Sequence, residues 1–234
     1  MFSALHSVNS DNLSEFSIQP KLGSSFLEAQ TVFGQAHDDM YSWEHSYFRE
    51  QFLGKHLGRN SEELFPKKAS DQLLNSLRKA QEQHHSLIHR DANGENIPLV
   101  EKNGELQPAM IDFQGMRWGL AEYDLASLIY DPYTNLDPPL RNKLIDYAFE
   151  KYKRLGLIDS QSSKSDWLKT RFYPAAMSRL MQAMGAYGKL MGDGKAQYEK
   201  YIAPASRALL SVLKSPEMKG AHFERLAAAL AEIK

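Results

Sequence analysis

Residues 89–115, HRDANGENIPLVEKNGELQPAMIDFQG, constrain the fold more than any other part of the 234-residue chain. At their centre Asn103-Gly104 lies between two short apolar runs, 97–100 and 110–113. Both residues tolerate positive φ, and a two-residue turn of that kind matches the twist of antiparallel strands, so the dipeptide predicts a tight hairpin. Folding the chain about it brings Asn96, seven residues before Asn103, nearly opposite Asp112, eight residues after Gly104. An amide oxygen and a carboxylate at the open end of a hairpin are a hard oxygen pair. Such a pair suits Mg²⁺, which also keeps waters and takes phosphate oxygens. Asp91 precedes the first strand by a few residues and hangs over the same end, available as a base.

Composition excludes several other chemistries. The net charge of −1 generates no field for nucleic acid or an anionic membrane. Cysteine is absent, which removes disulfides, thiolate metal sites and a cysteine nucleophile. The N-terminus, MFSALHSVNSDN, lacks the basic start and apolar stretch of a secretory signal. No apolar run approaches the roughly 18 residues of a membrane span. A cytoplasmic location is the expectation.

Around the hairpin the pattern is helical. Trp43, Tyr47, Phe48 and Phe52 recur at helical spacing, with Ser42 placed to cap the segment and Gly58 near its end. A second helix is predicted over 71–85, with Leu73, Leu74, Leu77 and Ala80 on one face. Asp124 is expected to cap the helix DLASLIY. A helix over 139–155 ends at Gly156, the region 166–213 is helical with breaks at Pro174 and Pro204, and an amphipathic helix closes the chain over 221–233. Residues 1–36 are serine-rich and weakly patterned, an arm or hinge remnant. The expected class is α+β, mostly helical, with one β-hairpin at the candidate site.

The motif extends the reading. His89-Arg90-Asp91, four residues, then Asn96 follows the kinase catalytic-loop pattern, and Asp112-Phe113 stands where a second, metal-binding aspartate is found. Gln114 replaces the glycine of the protein-kinase triplet, and no A-P-E triplet closes an activation segment. IDFQG followed by YDLASLIYDPY (123–133) instead resembles the aminoglycoside phosphotransferase and choline kinase-like superfamily. Within it, the chain is most similar to bacterial kinases of free amino sugars, the N-acetylmuramate/N-acetylglucosamine kinase type. MYSWEHSYFREQFL (40–53), RLMQAMGAYGKL (179–190) and the GK-x-x-Y-x-x-YI pattern (194–202) carry the same resemblance.

The resemblance implies the C-terminal, large lobe of a protein-kinase-like fold over 37–234. The catalytic loop and metal site would occupy 89–115, and a helical substrate region 124–234. It implies that Asp91 orients the acceptor hydroxyl and takes its proton, while Asn96 and Asp112 hold Mg²⁺ against the phosphates of ATP. The acceptor would be a small molecule, a sugar or amino sugar, lying against the C-terminal helices.

Such kinases also carry a β-rich lobe with a phosphate-covering loop, a strand lysine and a helix glutamate. Before Ser42 there is no G-x-G; Gly23 and Gly34 stand alone, and Lys21, the sole lysine in the first 50 residues, lies beside Pro20. The β-rich lobe is therefore expected to be missing or supplied separately, which keeps open a catalytically silent kinase-like module that binds a ligand or a protein. A further departure is Ala92-Asn93-Gly94-Glu95, where an aromatic residue commonly follows the aspartate in such kinases. His84, His85 and His89 invite a zinc site but read better as a helix end plus a loop residue. Met177, Met181, Met184 and Met191 read as helix packing. Asp131, Tyr133 and Arg117 could be structural or touch substrate.

Overall fold

The computed structural model describes residues 6–7, 40–84, 86–219 and 222–234. Apart from His6 and Ser7, the predicted arm over 1–36 lies outside them. The described part is mostly helical with two small antiparallel sheets.

The first helix, α1, covers Met40–Tyr47 and runs directly into a π-wound segment, Phe48–His56. Ser42 is therefore inside a helix and not its cap. Wider winding brings Phe48, Phe52 and Leu53 into the core and stacks the Phe48 and Phe52 rings 5.6 Å apart. Gly58, with φ of 62°, turns the chain away, as a C-terminal glycine does. After a short α2 (Ser61–Leu64), α3 runs over Lys67–Gln83, one turn earlier than its apolar stripe suggests. The cause is Pro66. Its fixed φ suits a helix entry, and its carbonyl accepts from Ala69 and Ser70 at 2.9 and 3.1 Å.

The hairpin forms about Asn103-Gly104, both at positive φ (56° and 79°). Its strands are β2, Leu99–Lys102, and β3, Glu105–Pro108, with Lys102 opposite Glu105 and Leu99 opposite Pro108. The apolar runs 97–100 and 110–113 are thus only partly strand. Every residue of β2 and β3 is exposed, so burial does not select the register; the turn does. A second pair was not expected: β1 (Ser86–Ile88) with β4 (Arg117–Gly119), Ile88 opposite Arg117. It closes the base of the loop that carries the hairpin.

Helix α4 (Ala121–Ile129) is almost wholly buried, and α5 (Pro138–Arg154) starts on the Asp137 cap and ends before Gly156. A short α6 (Lys164–Trp167) passes through a π-wound segment into α7, Tyr173–Gly192, with Pro174 in its first turn, where no backbone donor is needed. A 3₁₀ segment, Ala196–Tyr201, leads into α8 (Ile202–Leu213), and α9 (Glu224–Ala231) closes the chain, shorter than the predicted 221–233. Helix α7 is the central column, with Met177, Met181 and Met184 fully buried on it. A Cβ on Gly188 would lie 2.5 Å from the Gln51 carbonyl oxygen, so this glycine lets α7 cross the π-wound segment at backbone contact.

Candidate active site

The loop between β1 and β2 carries HRD and is held from beneath by Asp124. This aspartate lies in the first turn of α4, whose N-terminal residue in cap position is Leu120, so it does not cap the helix as expected. It is fully buried. Its Oδ2 accepts the His89 amide at 2.6 Å and faces His6 Nε2 at 3.0 Å, and its Oδ1 accepts the Arg90 amide at 2.7 Å. Arg90 has a φ of 73°, a left-handed conformation that costs an ordinary residue energy, and the Asp124 carboxylate holds it there. His89 is buried against the Phe113 ring and donates from Nε2 to the Ile111 carbonyl at 2.8 Å, which ties the HRD loop to the returning arm of the hairpin.

Asp91 emerges from this scaffold with an exposed side chain. Its Oδ1 accepts from Asn93 Nδ2 and from Arg179 Nη2, both at 3.1 Å. Among the described residues nothing engages its Oδ2. Arg179, on α7, is itself fixed by Ser127 Oγ (2.7 Å) and Gln182 Oε1 (2.6 Å). Burial works against its charge, but the oxygens of Tyr123 and Asp91 outweigh that and raise its pKa.

Asn96 and Asp112 do not lie on paired strands. Asn96 ends a 3₁₀ turn, Gly94–Asn96, capped by the Asn93 side chain, and Asp112 sits beyond β3 in a left-handed conformation. The chain stays paired irregularly there, the Ile111 amide donating to the Asn96 carbonyl at 3.1 Å. Asn96 Nδ2 donates to the Asp91 carbonyl at 2.9 Å, which leaves Oδ1 as its unengaged atom. Among the described residues no hydrogen bond or ion pair engages the Asp112 carboxylate. Asp91 and Asp112 line one cleft of about 290 Å³ with Arg90, Arg117 and Gln182; Asn96 is not among its lining residues. A wider cleft of about 520 Å³ lies between the π-wound segment and α7, but its carboxylate, Asp193, is already paired with Lys189.

Asp131 and Arg117, read from sequence as structural or substrate-touching, take supporting places here, and Glu44 was not singled out from sequence. Asp131 is buried and clips two loops together, Oδ2 accepting the Gly94 amide at 2.9 Å and Oδ1 the Tyr133 amide at 3.0 Å. A Cβ on Gly94 would lie 2.7 Å from Thr134 Cγ2 and 3.0 Å from Asp131 Oδ2, so a larger residue would have to displace these side chains. Glu44, on α1, is buried beneath the site, accepts the Tyr123 hydroxyl at 2.8 Å and lies 3.6 Å from Arg90. Burial pushes its carboxyl up to about 7, against the opposing charge of Arg90. Burial and the neighbouring Arg90 both lower the pKa of Arg117. His85 lies outside the described residues, and among those described no group of three His, Asp or Glu side chains is placed to hold a metal. No helix among them is long and apolar enough to cross a membrane.

Comparison with known proteins places this geometry in context. The model of the phosphotransferase enzyme family matches residues 5–158. The chain is 26% identical over 218 residues to N-acetylmuramate/N-acetylglucosamine kinase of Pseudomonas aeruginosa; the match covers 92% of this chain and 62% of that protein.

Proposed function

The chain belongs to the phosphotransferase enzyme family, and from that premise we propose that it transfers the γ-phosphoryl group of ATP to a hydroxyl of a small molecule, a sugar or amino sugar. The observation that carries this reading is Asp91, one oxygen locked by Arg179 and Asn93 and the other open, in the same cleft as the unengaged Asp112 carboxylate. A carboxylate held this way can orient an acceptor hydroxyl and take its proton as the oxygen attacks phosphorus. The new O–P bond forms, the bridging bond to the β-phosphate breaks, and ADP leaves with those electrons.

Mg²⁺ fits the donor set. Asn96 Oδ1 and the Asp112 carboxylate are hard oxygens, and among the described residues neither is engaged by another contact. When bound, the ion would neutralise charge on the phosphate oxygens. The chain's own contribution is to position: Asp124 fixes the backbone at His89 and Arg90, Asp131 fixes the turn that leads to Asn96, and Arg179 fixes Asp91. On this reading residues 37–234 act as the lobe that carries the acceptor and the catalytic loop in the cytoplasm, and a β-rich lobe covers the nucleotide.

The test is ATP turnover against N-acetylglucosamine, N-acetylmuramic acid, choline and an aminoglycoside across a Mg²⁺ series. Transfer to a sugar is expected. Asp91→Asn keeps size and removes the base, so kcat should fall by about 10²–10⁴ with little change in nucleotide affinity. Asp112→Asn should regain part of its lost rate as Mg²⁺ is raised. Turnover of no acceptor, or an Asp91→Asn enzyme with its rate intact, would reject the kinase reading in favour of a ligand-binding module.

A further inference from the structure

His6 takes no part in the chemistry above, yet its side chain is fully buried against the support of the catalytic loop. A buried imidazole must find partners for its ring nitrogens, because water no longer serves them. It finds them on two helices far along the chain. Nε2 stands 3.0 Å from Asp124 Oδ2 in α4, across 118 residues, and Nδ1 stands 2.7 Å from the Tyr152 hydroxyl on α5, across 146. The His6 and Tyr152 rings meet nearly edge-on, with centroids 5.9 Å apart. A carboxylate oxygen can only accept, so Nε2–H donates to Asp124, while the bond between Nδ1 and the Tyr152 hydroxyl fixes the ring from its other side.

Asp124 gives this seat its consequence. Among the described residues its other partners are the backbone amides of His89 and Arg90, at 2.6 and 2.7 Å, the two residues that lead into Asp91. The His89 amide and His6 converge on the same oxygen, Oδ2. Two amides of a loop do not fix the carboxylate that is to fix them; a ring anchored on α5 does. Arg90 is strained at a φ of 73°, so its backbone relaxes toward ordinary angles once that carboxylate turns. The next residue is Asp91, whose 3.1 Å bond to Arg179 a shift of about 1 Å would break. The helices do not need the imidazole for their own burial. Helix α4 is almost wholly buried, and Ile145, Ala148 and Phe149 bury α5. Loss of the ring therefore reaches the loop before it reaches the fold.

We propose that His6 is a positioning residue for the transfer reaction: docked between Asp124 and Tyr152, its ring holds the HRD loop in the shape that presents Asp91, and turnover depends on that docking. The inference rests on the reading of Asp91 as the base. It makes a residue near the N-terminus part of the support of a loop more than 80 residues away in sequence, through one carboxylate that touches both.

The test measures amide hydrogen exchange and ATP turnover on the full chain and three variants. His6→Leu fills the seat and donates nothing. Exchange at the His89 and Arg90 amides should quicken by about 10- to 100-fold, as loss of a hydrogen bond to a charged group does. In the same variant kcat should fall by about 10- to 100-fold while the KM for ATP stays within about twofold. His6→Gln carries an N–H donor near the Nε2 position and should keep both readouts within about fivefold of the natural chain. His6→Gly should behave as His6→Leu and regain slow exchange and rate when imidazole is added, an addition that leaves the natural chain unchanged. Circular dichroism checks folding, and if His6→Gly does not fold, the leucine and glutamine variants decide. Exchange unchanged at both amides in His6→Leu, exchange quickened with kcat intact, or a His6→Gln chain no better than His6→Leu would each overturn the proposal. The two readings fail separately. No turnover by the natural chain, with exchange responding as expected, would sink the phosphotransferase reading and leave His6 as the residue that shapes the loop; turnover indifferent to His6 would sink this inference alone.

Discussion

Replacing Asp124 by Asn tests the claim that one buried carboxylate shapes the catalytic loop. The asparagine oxygen can occupy only one of the two carboxylate positions. At the Oδ2 position it meets two donors, the His89 amide and His6 Nε2, so the new NH₂ group is left facing the Arg90 amide, 2.7 Å from where an acceptor stood. A hydrogen bond to a charged group contributes about 1.5–3 kcal/mol, and a donor left unmatched away from water costs about 1–3 kcal/mol, toward the low end for the part-buried Arg90 amide. The sum, about 2.5–6 kcal/mol, falls on a residue already held at a φ of 73°. For a domain of this size each kcal/mol shifts Tm by roughly 2–4 °C, so a fall of about 5–24 °C is expected. Urea unfolding gives the free energy directly, and amide hydrogen exchange locates it: Arg90 should lose protection while the core of α7 keeps its own. A loss below about 1 kcal/mol with the Arg90 amide still protected would refute the assignment.

Gly188→Ala should destabilise by about 1–3 kcal/mol, because its Cβ meets the Gln51 carbonyl and the Phe52 Cα, backbone atoms that move only if the helices part. Gly192→Ala, with open space around it, is the control and should cost nothing in the same thermal scan. The pH dependence of stability tests the buried pair Glu44 and His45. Burial raises Glu44 from 4.5 to about 7, so the native state keeps a proton the unfolded chain loses, and that contribution fades as pH rises through 7. Burial lowers His45 from 6.5 to about 3, so its contribution fades as pH falls below 6.5. The two oppose each other between about 4.5 and 6.5. Glu44→Gln removes one of them, and its urea midpoint should then climb with pH across that window while the natural protein's stays nearly level. Parallel curves for the two proteins would show that Glu44 does not hold its proton.

Local chemistry made part of this molecule readable in one dimension. Asn103-Gly104 could be recognised because positive φ is a property of the residues themselves, and both adopt it. The order His-Arg-Asp, Asn, Asp could be picked out as a candidate site because those residues lie along one loop and hairpin in the order that the kinase catalytic-loop pattern has. Helix ends at Gly58 and Gly156 were visible for the same local reason. The supports of the site were not. Asp124 before an apolar helical run reads as a cap, yet its partners lie 34, 35 and 118 residues away. Arg179 reaches Asp91 across 88 residues and Asp131 reaches Gly94 across 37. A buried carboxylate or guanidinium must find partners wherever the fold brings them, because leaving one unpaired away from water costs more than any local preference supplies. The π winding over Phe48–His56 and the three-residue strands β1 and β4 follow the same logic. Neither has enough residues of the right propensity to form alone, and each exists because packing against α7 and α4 outweighs the local cost.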